Sequence, residues 1–280
     1  MKIKIISDCT CDLNQELLTK YDITLAPLTV VKGNDQFKDG VTITPADIFA
    51  HVAAGGDLCS TAAVSIGEYA DLFDTYSADY DGIIHINLGS GFSACYQNAC
   101  LAAEDFPNVR CIDSQNLSTG QGLLVLEACR LAREMDDLDA MAEALRAYAA
   151  KVEASFLVEK LDYLVKGGRC SSAAALGANL LNLKPCIEVK DGKMFVGKKY
   201  RGNYVKCLAG YVKDRLADRE DLDNGTVFIT WTRVSDESLT AVREAVHTYG
   251  SFAKVYESTA GSTISCHCGP GTLGVLFVRK

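Results

Sequence analysis

The first half of the chain alternates between short apolar runs and amphipathic segments. Strands are predicted over Lys2 to Ile6, Thr24 to Val31, Gly82 to Leu88 and Val109 to Ile112. Helical periodicity falls between these runs, over Asn14 to Tyr21, from Thr44-Pro45 to before Gly55, and over Ser65 to Tyr76, Ser93 to Glu104, Ser118 to Arg133 and Leu138 to Val152. Short apolar strands that alternate with helices predict a parallel, Rossmann-like α/β sheet, in which ligands bind at the carboxyl ends of the strands.

The pattern changes near residue 153. A hairpin is predicted around Asp191-Gly192, and a helix from the Gly167-Gly168 turn through Leu183. Further helices are predicted over Tyr204 to Arg215 and Ser238 to Tyr249, and further strands over Val227 to Trp231 and Thr272 to Val278. We therefore expect two domains: a Rossmann-like α/β domain over residues 1–153, and an α+β domain with antiparallel strands over residues 154–280.

Composition and charge exclude several partner classes. The 280 residues are 48% hydrophobic and carry 28 basic against 36 acidic side chains, a net charge of −8. A phosphate backbone would be repelled on average, so we expect no nucleic-acid partner. The apolar run at the N-terminus ends at Ser7, and no stretch approaches ~20 apolar residues. The sequence thus predicts a cytoplasmic protein with no integral membrane segment.

Twelve cysteines are scattered along the chain, most of them inside apolar runs. There a thiol behaves as a small hydrophobic side chain. The close pairs, Cys9 with Cys11 and Cys266 with Cys268, have one-residue spacings, which do not match the wider gaps of tetrahedral zinc sites. We expect free thiols and no bound metal.

The most informative stretch is IHINLGSGFSACYQNA, residues 84–99, where a strand-like run passes through small residues into a helix at Ser93. It lacks the third glycine of GxGxxG and the Gly-Lys of a P-loop. It is also not a nucleophile elbow, because Cys95 stands where that motif has glycine. A serine at a helix N-terminus can help to bind an anion or simply cap the helix, and both readings stay open.

Three other segments carry polar groups at turns. Thr61 lies in a small-residue stretch ahead of a helix, Arg169 follows Gly167-Gly168, and His267 precedes Gly269-Pro270-Gly271. Taken singly, each has a structural explanation as a turn residue or a solvent-facing group. Taken together with Ser93, they supply hydroxyls, a cation and an imidazole that suit one anionic head group.

Ordered motifs along the whole chain resemble the DegV family of bacterial fatty-acid-binding proteins. The matching segments are Ser7 to Leu13, Thr61 to Tyr69, Gly89 to Ala99, Ile112 to Gly122, Leu161 to Ser171, Leu181 to Pro185 and His267 to Gly274. The resemblance implies a long-chain fatty acid such as palmitate as the ligand, bound in an apolar tunnel, and no cofactor.

The resemblance also implies roles for particular residues. Thr61 and Ser93 would hold the fatty-acid carboxylate, while Arg169 and His267 would border the head group. An ATP-dependent kinase subunit would phosphorylate the bound acid, with Arg201 helping to dock it. The chain itself would then be a lipid-binding subunit without catalysis of its own. The alternative is an acyl hydrolase in which Ser93 attacks and His267 is the base.

The sequence departs from the family pattern beside both hydroxyls. Ala62 and Ala63 replace a Ser and a Gln after Thr61, and Ala94-Cys95 replace Gly-Thr after Ser93. Side-chain donors are therefore fewer in the head-group vicinity around Ala62 and Ala94.

Overall fold

The structure is a computed structural model that describes residues 1–175 and 183–280. The strands are β1 Ile3–Asp8, β2 Thr24–Ala26, β3 Thr29–Lys32, β4 Asp35–Lys38, β5 Ser60–Ala62, β6 Gly82–Asn87, β7 Val109–Asp113, β8 Val152–Val158, β9 Leu183–Lys190, β10 Lys193–Arg201, β11 Leu222–Trp231, β12 Lys254–Thr259 and β13 Thr272–Arg279.

The helices lie between these strands. They are α1 Gln15–Lys20, α2 Pro45–Ala53, α3 Ile66–Ser77, α4 Cys95–Ala103, α5 Thr119–Leu131, α6 Leu138–Ala149, α7 Asp162–Gly167, α8 Ser171–Ala174, α9 Tyr204–Leu216, α10 Asp236–Tyr249 and α11 Ser262–Cys268, with one 3₁₀ turn at Cys9–Cys11. None of the described helices is long and apolar enough to cross a bilayer.

The first sheet has the order β2-β1-β6-β7, and all its pairings are parallel. Its inner strand β6 is buried at every position, as expected when helices cover both faces of a parallel sheet. The predicted Rossmann-like sheet is therefore confirmed. Its carboxyl edge carries the turns that follow Asp8, Asn87 and Asp113.

The second sheet has the order β10-β9-β8-β13-β11-β12. Its pairs are antiparallel except for β11 with β12, which run parallel, so the predicted α+β half is confirmed with one parallel edge. The predicted hairpin is present, and both Asp191 and Gly192 have positive φ, at 51° and 69°, as a two-residue turn of type I′ requires.

Two sequence predictions are wrong in detail. The single strand over Thr24 to Val31 divides at Pro27 into β2, in the parallel sheet, and β3, in a separate antiparallel sheet of order β4-β3-β5. Proline has no N–H for a strand ladder, which favours a break there. The predicted helix through Leu183 does not reach that residue, which begins β9, while residues 176–182 lie outside the described residues.

The hydrophobic core is continuous between the two halves. One cluster joins Ile6 and Ile84 of the first sheet to Phe156 and Phe228 of the second. A second cluster lies on the other face of the second sheet, under α9 and α10. Because β8 begins at Val152 and pairs only within the second sheet, we propose that the domain division falls before that residue rather than after residue 153.

Several local signals fix the helices that lead to the candidate site. Thr44 and Asp47 form a capping box at the start of α2, as Thr44-Pro45 predicted, and Ser65 and Glu68 form another at the start of α3.

The twelve thiols are unpaired, and all but Cys9 and Cys100 are buried, in agreement with their apolar sequence surroundings.

We predict that Gly91→Ala destabilises the protein by about 1 to 3 kcal/mol, because a methyl group there would lie 2.1 Å from the carbonyl oxygen of Gly192 in the hairpin turn. Gly67→Ala in α3 is the matched control, since a Cβ at that position meets nothing within 4 Å. It should be neutral or stabilising by up to about 1 kcal/mol. The free energy of unfolding from urea titrations checks both variants, and equal effects would contradict this account of the contact.

Candidate functional site

A cavity of about 210 Å³ lies at the carboxyl edge of the first sheet. Its walls come from β5, from the loop of residues 88–94 that we call the serine loop, from helix α11, and from Met194 of the hairpin. Thr61, Ser93, Arg169 and His267 all line it. The structure thus brings together four residues that the sequence places up to 206 positions apart.

Thr61 lies in the middle of strand β5, paired with Val30, so its expected place in a loop ahead of a helix is wrong. A β-branched residue suits a strand, and pairing with β3 fixes the direction of its side chain. The Thr61 Oγ1 atom lies 2.8 Å from His267 Nε2. The strand therefore sets one hydroxyl against the imidazole.

His267 occupies the last turn of α11 rather than a loop, and the turn at Gly269 follows the helix. Burial lowers the pKa of His267 from 6.5 to about 4, and the nearby Arg169 cation also lowers it. The imidazole is therefore neutral at pH 7, with one ring nitrogen a donor and the other an acceptor. Its Nδ1 atom is buried and finds no partner among the described residues.

Because His267 Nδ1 has no partner among the described residues, it indicates which ring nitrogen carries the proton. An unpaired buried N–H is rarer in proteins than an unpaired acceptor. We therefore place the proton on Nε2, which then donates to Thr61 Oγ1. In this arrangement the Thr61 hydroxyl accepts from His267 and keeps its own proton free to donate into the cavity.

Ser93 lies one residue before Ala94, which is the N-cap of α4. Its Oγ accepts a 3.2 Å hydrogen bond from the backbone N–H of Cys95, and its hydroxyl lies 3.2 Å from the Cys95 sulfur. A thiol sulfur is a weak acceptor, so a stronger one in the cavity would take the Ser93 proton. The serine is thus a hydrogen-bond partner at the start of α4, and its own proton is held only by a weak acceptor.

The mouth of the cavity lies on the side of these polar groups. Ala62, Ala94 and Arg169 are exposed and line it. The Arg169 guanidinium donates to Gly167 O at 2.7 Å and to Phe92 O at 3.4 Å, which holds the cation beside the serine loop. Arg201, by contrast, does not line the cavity; it is exposed at the end of β10.

A second, smaller cavity of about 30 Å³ adjoins the first. The two share Leu117, Ile264 and Cys268 as lining residues. The walls of the second include Phe156 and Leu276 of the second sheet. The polar mouth therefore borders an apolar passage, our name for the two adjoining cavities, that reaches the face of the second sheet.

The geometry does not assemble a hydrolytic triad. Among the residues that the structure describes, Ser93 Oγ bonds to Cys95 rather than to His267, whose Nε2 is engaged by Thr61. No carboxylate in that part of the chain bonds to His267 Nδ1. Nucleophile, base and orienting acid must be linked by hydrogen bonds in such a triad.

Comparison with known proteins identifies the family of this chain. The family model described as an uncharacterised protein of the DegV family matches residues 2–280. A DegV domain-containing protein of Clostridium acetobutylicum is 34% identical over 282 residues, which cover 100% of this chain and 99% of that relative.

The chain belongs to the DegV family.

Solved structures of DegV proteins superpose on it throughout. A DegV family protein from Thermus thermophilus, described by its fatty acid binding, has a TM-score of 0.92 at 28% identity and covers 100% of both chains. A fatty acid (stearic acid)-binding protein from Eubacterium ventriosum has a TM-score of 0.85 at 27% identity, with 99% of this chain and 98% of that one covered.

Two buried carboxyl groups that sequence reasoning left without a role hold α11 in this DegV chain. Asp39 accepts the backbone N–H groups of Ser262 and Thr263, both at 2.8 Å, one on each carboxylate oxygen. Asp12 accepts the N–H of Gly261 at 2.9 Å. Free N–H groups at a helix start need such acceptors when buried. These contacts span 223 to 249 residues, so only the fold reveals them.

A third buried carboxylate holds the serine loop. Asp8 accepts from the backbone N–H of Leu88 at 2.8 Å, from the Tyr69 hydroxyl at 2.6 Å and from His85 Nε2 at 3.0 Å. Asp8 and Asp12 both belong to the Ser7 to Leu13 motif. In the sequence, the only sign of the roles of Asp8 and Asp12 is that their polar motif directly follows a buried strand, at the edge where parallel sheets bind ligands.

Among the described residues, no group of three or more His, Cys, Asp or Glu side chains is arranged to hold a metal ion. Cys266 instead belongs to a small apolar cluster with Val30 and Ile48, and Cys268 lines the apolar passage. Both cysteines therefore have packing roles in this structure.

We predict that Asp12→Asn stabilises the protein progressively as pH rises. Burial raises the pKa of Asp12 from 3.8 to about 8, with the Asp39 charge adding to the rise and bonds from Ser118 and Gly261 opposing it. Because the folded state holds this proton more tightly than the unfolded chain, the carboxyl group's contribution to stability is full below about pH 4 and is lost as pH rises towards 8.

The asparagine is always neutral and can keep both neighbouring hydrogen bonds. Unfolding free energies of the two proteins at several pH values between about 5 and 8 give the test. The difference should grow with pH by at most about 1.4 kcal/mol per unit. Parallel pH profiles for variant and wild type would show that Asp12 is ionised throughout.

Proposed function

We propose that this DegV protein binds one long-chain fatty acid, with the acyl tail in the apolar cavities and the carboxylate at Thr61 and Ser93. The observation that carries the proposal is the pair of hydroxyls in the larger cavity, beside an apolar passage that reaches the face of the second sheet. The fatty-acid-binding relatives from Thermus thermophilus and Eubacterium ventriosum, which share the whole fold, support it.

Tail burial supplies most of the affinity in this proposal. Burying about 14 methylenes at ~0.8 kcal/mol each is worth on the order of 11 kcal/mol, against an association cost of ~4 to 15 kcal/mol. In this proposal the chain lies against the apolar walls, which include Leu117, Ile264 and Phe156. The polar groups then mainly orient the molecule, with its head at the mouth.

The head-group residues match the needs of a carboxylate taken out of water. The Thr61 oxygen accepts from His267, which leaves its hydroxyl proton available, and the Ser93 proton is held only by the weak Cys95 sulfur. Hydrogen bonds to an ionised acceptor are stronger than neutral ones. The Arg169 guanidinium at the mouth adds positive charge without closing the site.

We further propose that the bound acid is presented to an ATP-dependent fatty acid kinase subunit and that the chain has no catalysis of its own. Exposure of Ala62, Ala94 and Arg169 around the mouth supports access to the carboxylate from outside. Arg201, exposed beside Gly202, is the proposed docking residue for that partner. Formation of acyl phosphate only when both proteins and ATP are present would test this step.

We predict that Thr61→Ala and Ser93→Ala each weaken palmitate binding by about 1.5 to 3 kcal/mol, the range for a hydrogen bond to a charged group. Isothermal titration calorimetry with lipid-free protein measures the change. Thr75→Ala is the matched control, because Thr75 is exposed on α3 and bonds only to the carbonyl of Asp71. Unchanged affinity in both site variants would show that the head group binds elsewhere.

We predict a different result for His267, which touches the proposed carboxylate through Thr61. His267→Ala should leave palmitate affinity within tenfold, about 1.4 kcal/mol, because the apolar walls remain. Kinase-coupled acyl phosphate formation should fall by ~10² or more, the scale for a positioned polar group. Since the pKa of His267 is lowered to about 4, no transition near pH 6.5 should arise from it.

His267→Gln serves as the matched variant, because its side-chain amide can replace the N–H that Thr61 accepts. It should recover much of the coupled turnover. Loss of palmitate binding in a folded His267→Ala protein would make the imidazole a primary ligand. Turnover that survives in both variants would reduce His267 to a packing residue.

A further inference from the structure

Thr263 has a buried hydroxyl that no other described residue uses. Its side chain lines the larger cavity, and the residue is only 3% exposed. The backbone N–H of Thr263 is engaged by Asp39, but Oγ1 has no hydrogen-bond partner in residues 1–175 and 183–280. A buried hydroxyl without a partner costs roughly 1 to 3 kcal/mol, so a partner inside the cavity would relieve that cost.

The hydrogen bond that a threonine hydroxyl usually forms within a helix is absent for Thr263 among the described residues. Inside a helix, a threonine hydroxyl can bond back to the carbonyl four residues earlier. For Thr263 that residue is Thr259, at the end of β12, because α11 begins only at Ser262. The hydroxyl is therefore left without a helical acceptor, in a residue that lines the larger cavity.

The position of Thr263 on α11 decides which part of a ligand it meets. Residues four apart lie on one face of a helix, so Thr263 and His267 form one row, and Ile264 and Cys268 form the next. Only the second row also lines the inner cavity. Thr263 therefore lies on the head-group side, one helical turn of about 5.4 Å from His267.

A carboxylate has more acceptor capacity than two hydroxyls fill. Its two oxygens offer about four lone-pair sites. Thr61 and Ser93 use two of them in the proposed complex, while the neighbouring Ala62 and Ala94 have no side-chain donor. A third hydroxyl on the facing helix would serve the remaining oxygen.

We propose that the Thr263 hydroxyl donates a hydrogen bond to the fatty-acid carboxylate, directly or through one water, so that the head-group site contains three hydroxyls from three separate elements. This inference rests on the proposed function and adds a specificity residue to the same site.

The test compares Thr263→Val with Thr263→Ser, using palmitate and the long-chain primary alcohol of the same length as probes. Valine keeps the shape and removes the hydroxyl, while serine keeps the hydroxyl. We expect Thr263→Val to weaken palmitate binding about tenfold or more, the effect of losing one hydrogen bond to a charged group. Binding of the alcohol, which has only one oxygen, should change less than about threefold, and the serine variant should bind palmitate nearly as wild type does.

Stability of the lipid-free protein separates this role from a structural one. Since the hydroxyl is unpaired in the empty protein, valine should leave the melting temperature unchanged or raise it. A lowered melting temperature, or equal losses for acid and alcohol, would mean that Thr263 acts through packing and would overturn the proposal. Unchanged palmitate affinity in Thr263→Val would also overturn it.

The outcome for the proposed function can be read separately. If wild-type protein binds palmitate and Thr61→Ala weakens it while Thr263→Val does not, only the third-hydroxyl inference fails. If lipid-free wild-type protein binds neither probe, the fatty-acid function itself fails.

Discussion

The site depends on two buried carboxyl groups, those of Asp39 and Asp12, which hold the start of α11 in place. Asp39 and Asp12 accept three N–H groups at the start of this helix, and both come from the first half of the chain. The helix belongs to the second half by sequence, yet its position is set by the first. Because α11 supplies His267 at the mouth and Ile264 on the inner passage, the same bonds define both ends of the cavity.

This anchoring separates two kinds of interaction along one helix. Thr263 and His267 form a polar row that lines only the larger cavity. Ile264 and Cys268 form an apolar row that lines both cavities. Apolar burial is roughly proportional to area and has no preferred direction, while hydrogen bonds fix an orientation. A ligand with a long tail and a small anionic head uses both rows at once.

Local signals in the sequence predict much of the fold. Most of the features that the sequence did not predict depend on long-range contacts. The buried strand at Gly82 to Leu88 and the turn at Asp191-Gly192 are decided by neighbouring residues, and both are present. The strand character of Thr61 depends on pairing across the small sheet, which no local pattern contains. The break at Pro27 has a local cause as well, because proline has no N–H for a strand ladder.

The same distinction applies to the site. Ser93 and His267 can be recognised in the sequence as candidate site residues, because small or rigid residues surround them and because the chain resembles DegV proteins. Asp39 sits in a loop with no motif, and its role appears only when α11 is brought to it from 223 residues away. Thr263 lies in a segment whose pattern gives no sign of a cavity, and its unpaired hydroxyl is visible only in three dimensions.

Mass spectrometry of an organic-solvent extract from the purified protein tests the central claim, that the apolar passage holds an acyl chain. The account predicts one long-chain fatty acid for each protein chain, released on extraction and taken up again by the emptied protein in the form of palmitate. An extract without fatty acid, from a folded protein that also fails to take up palmitate, would contradict it.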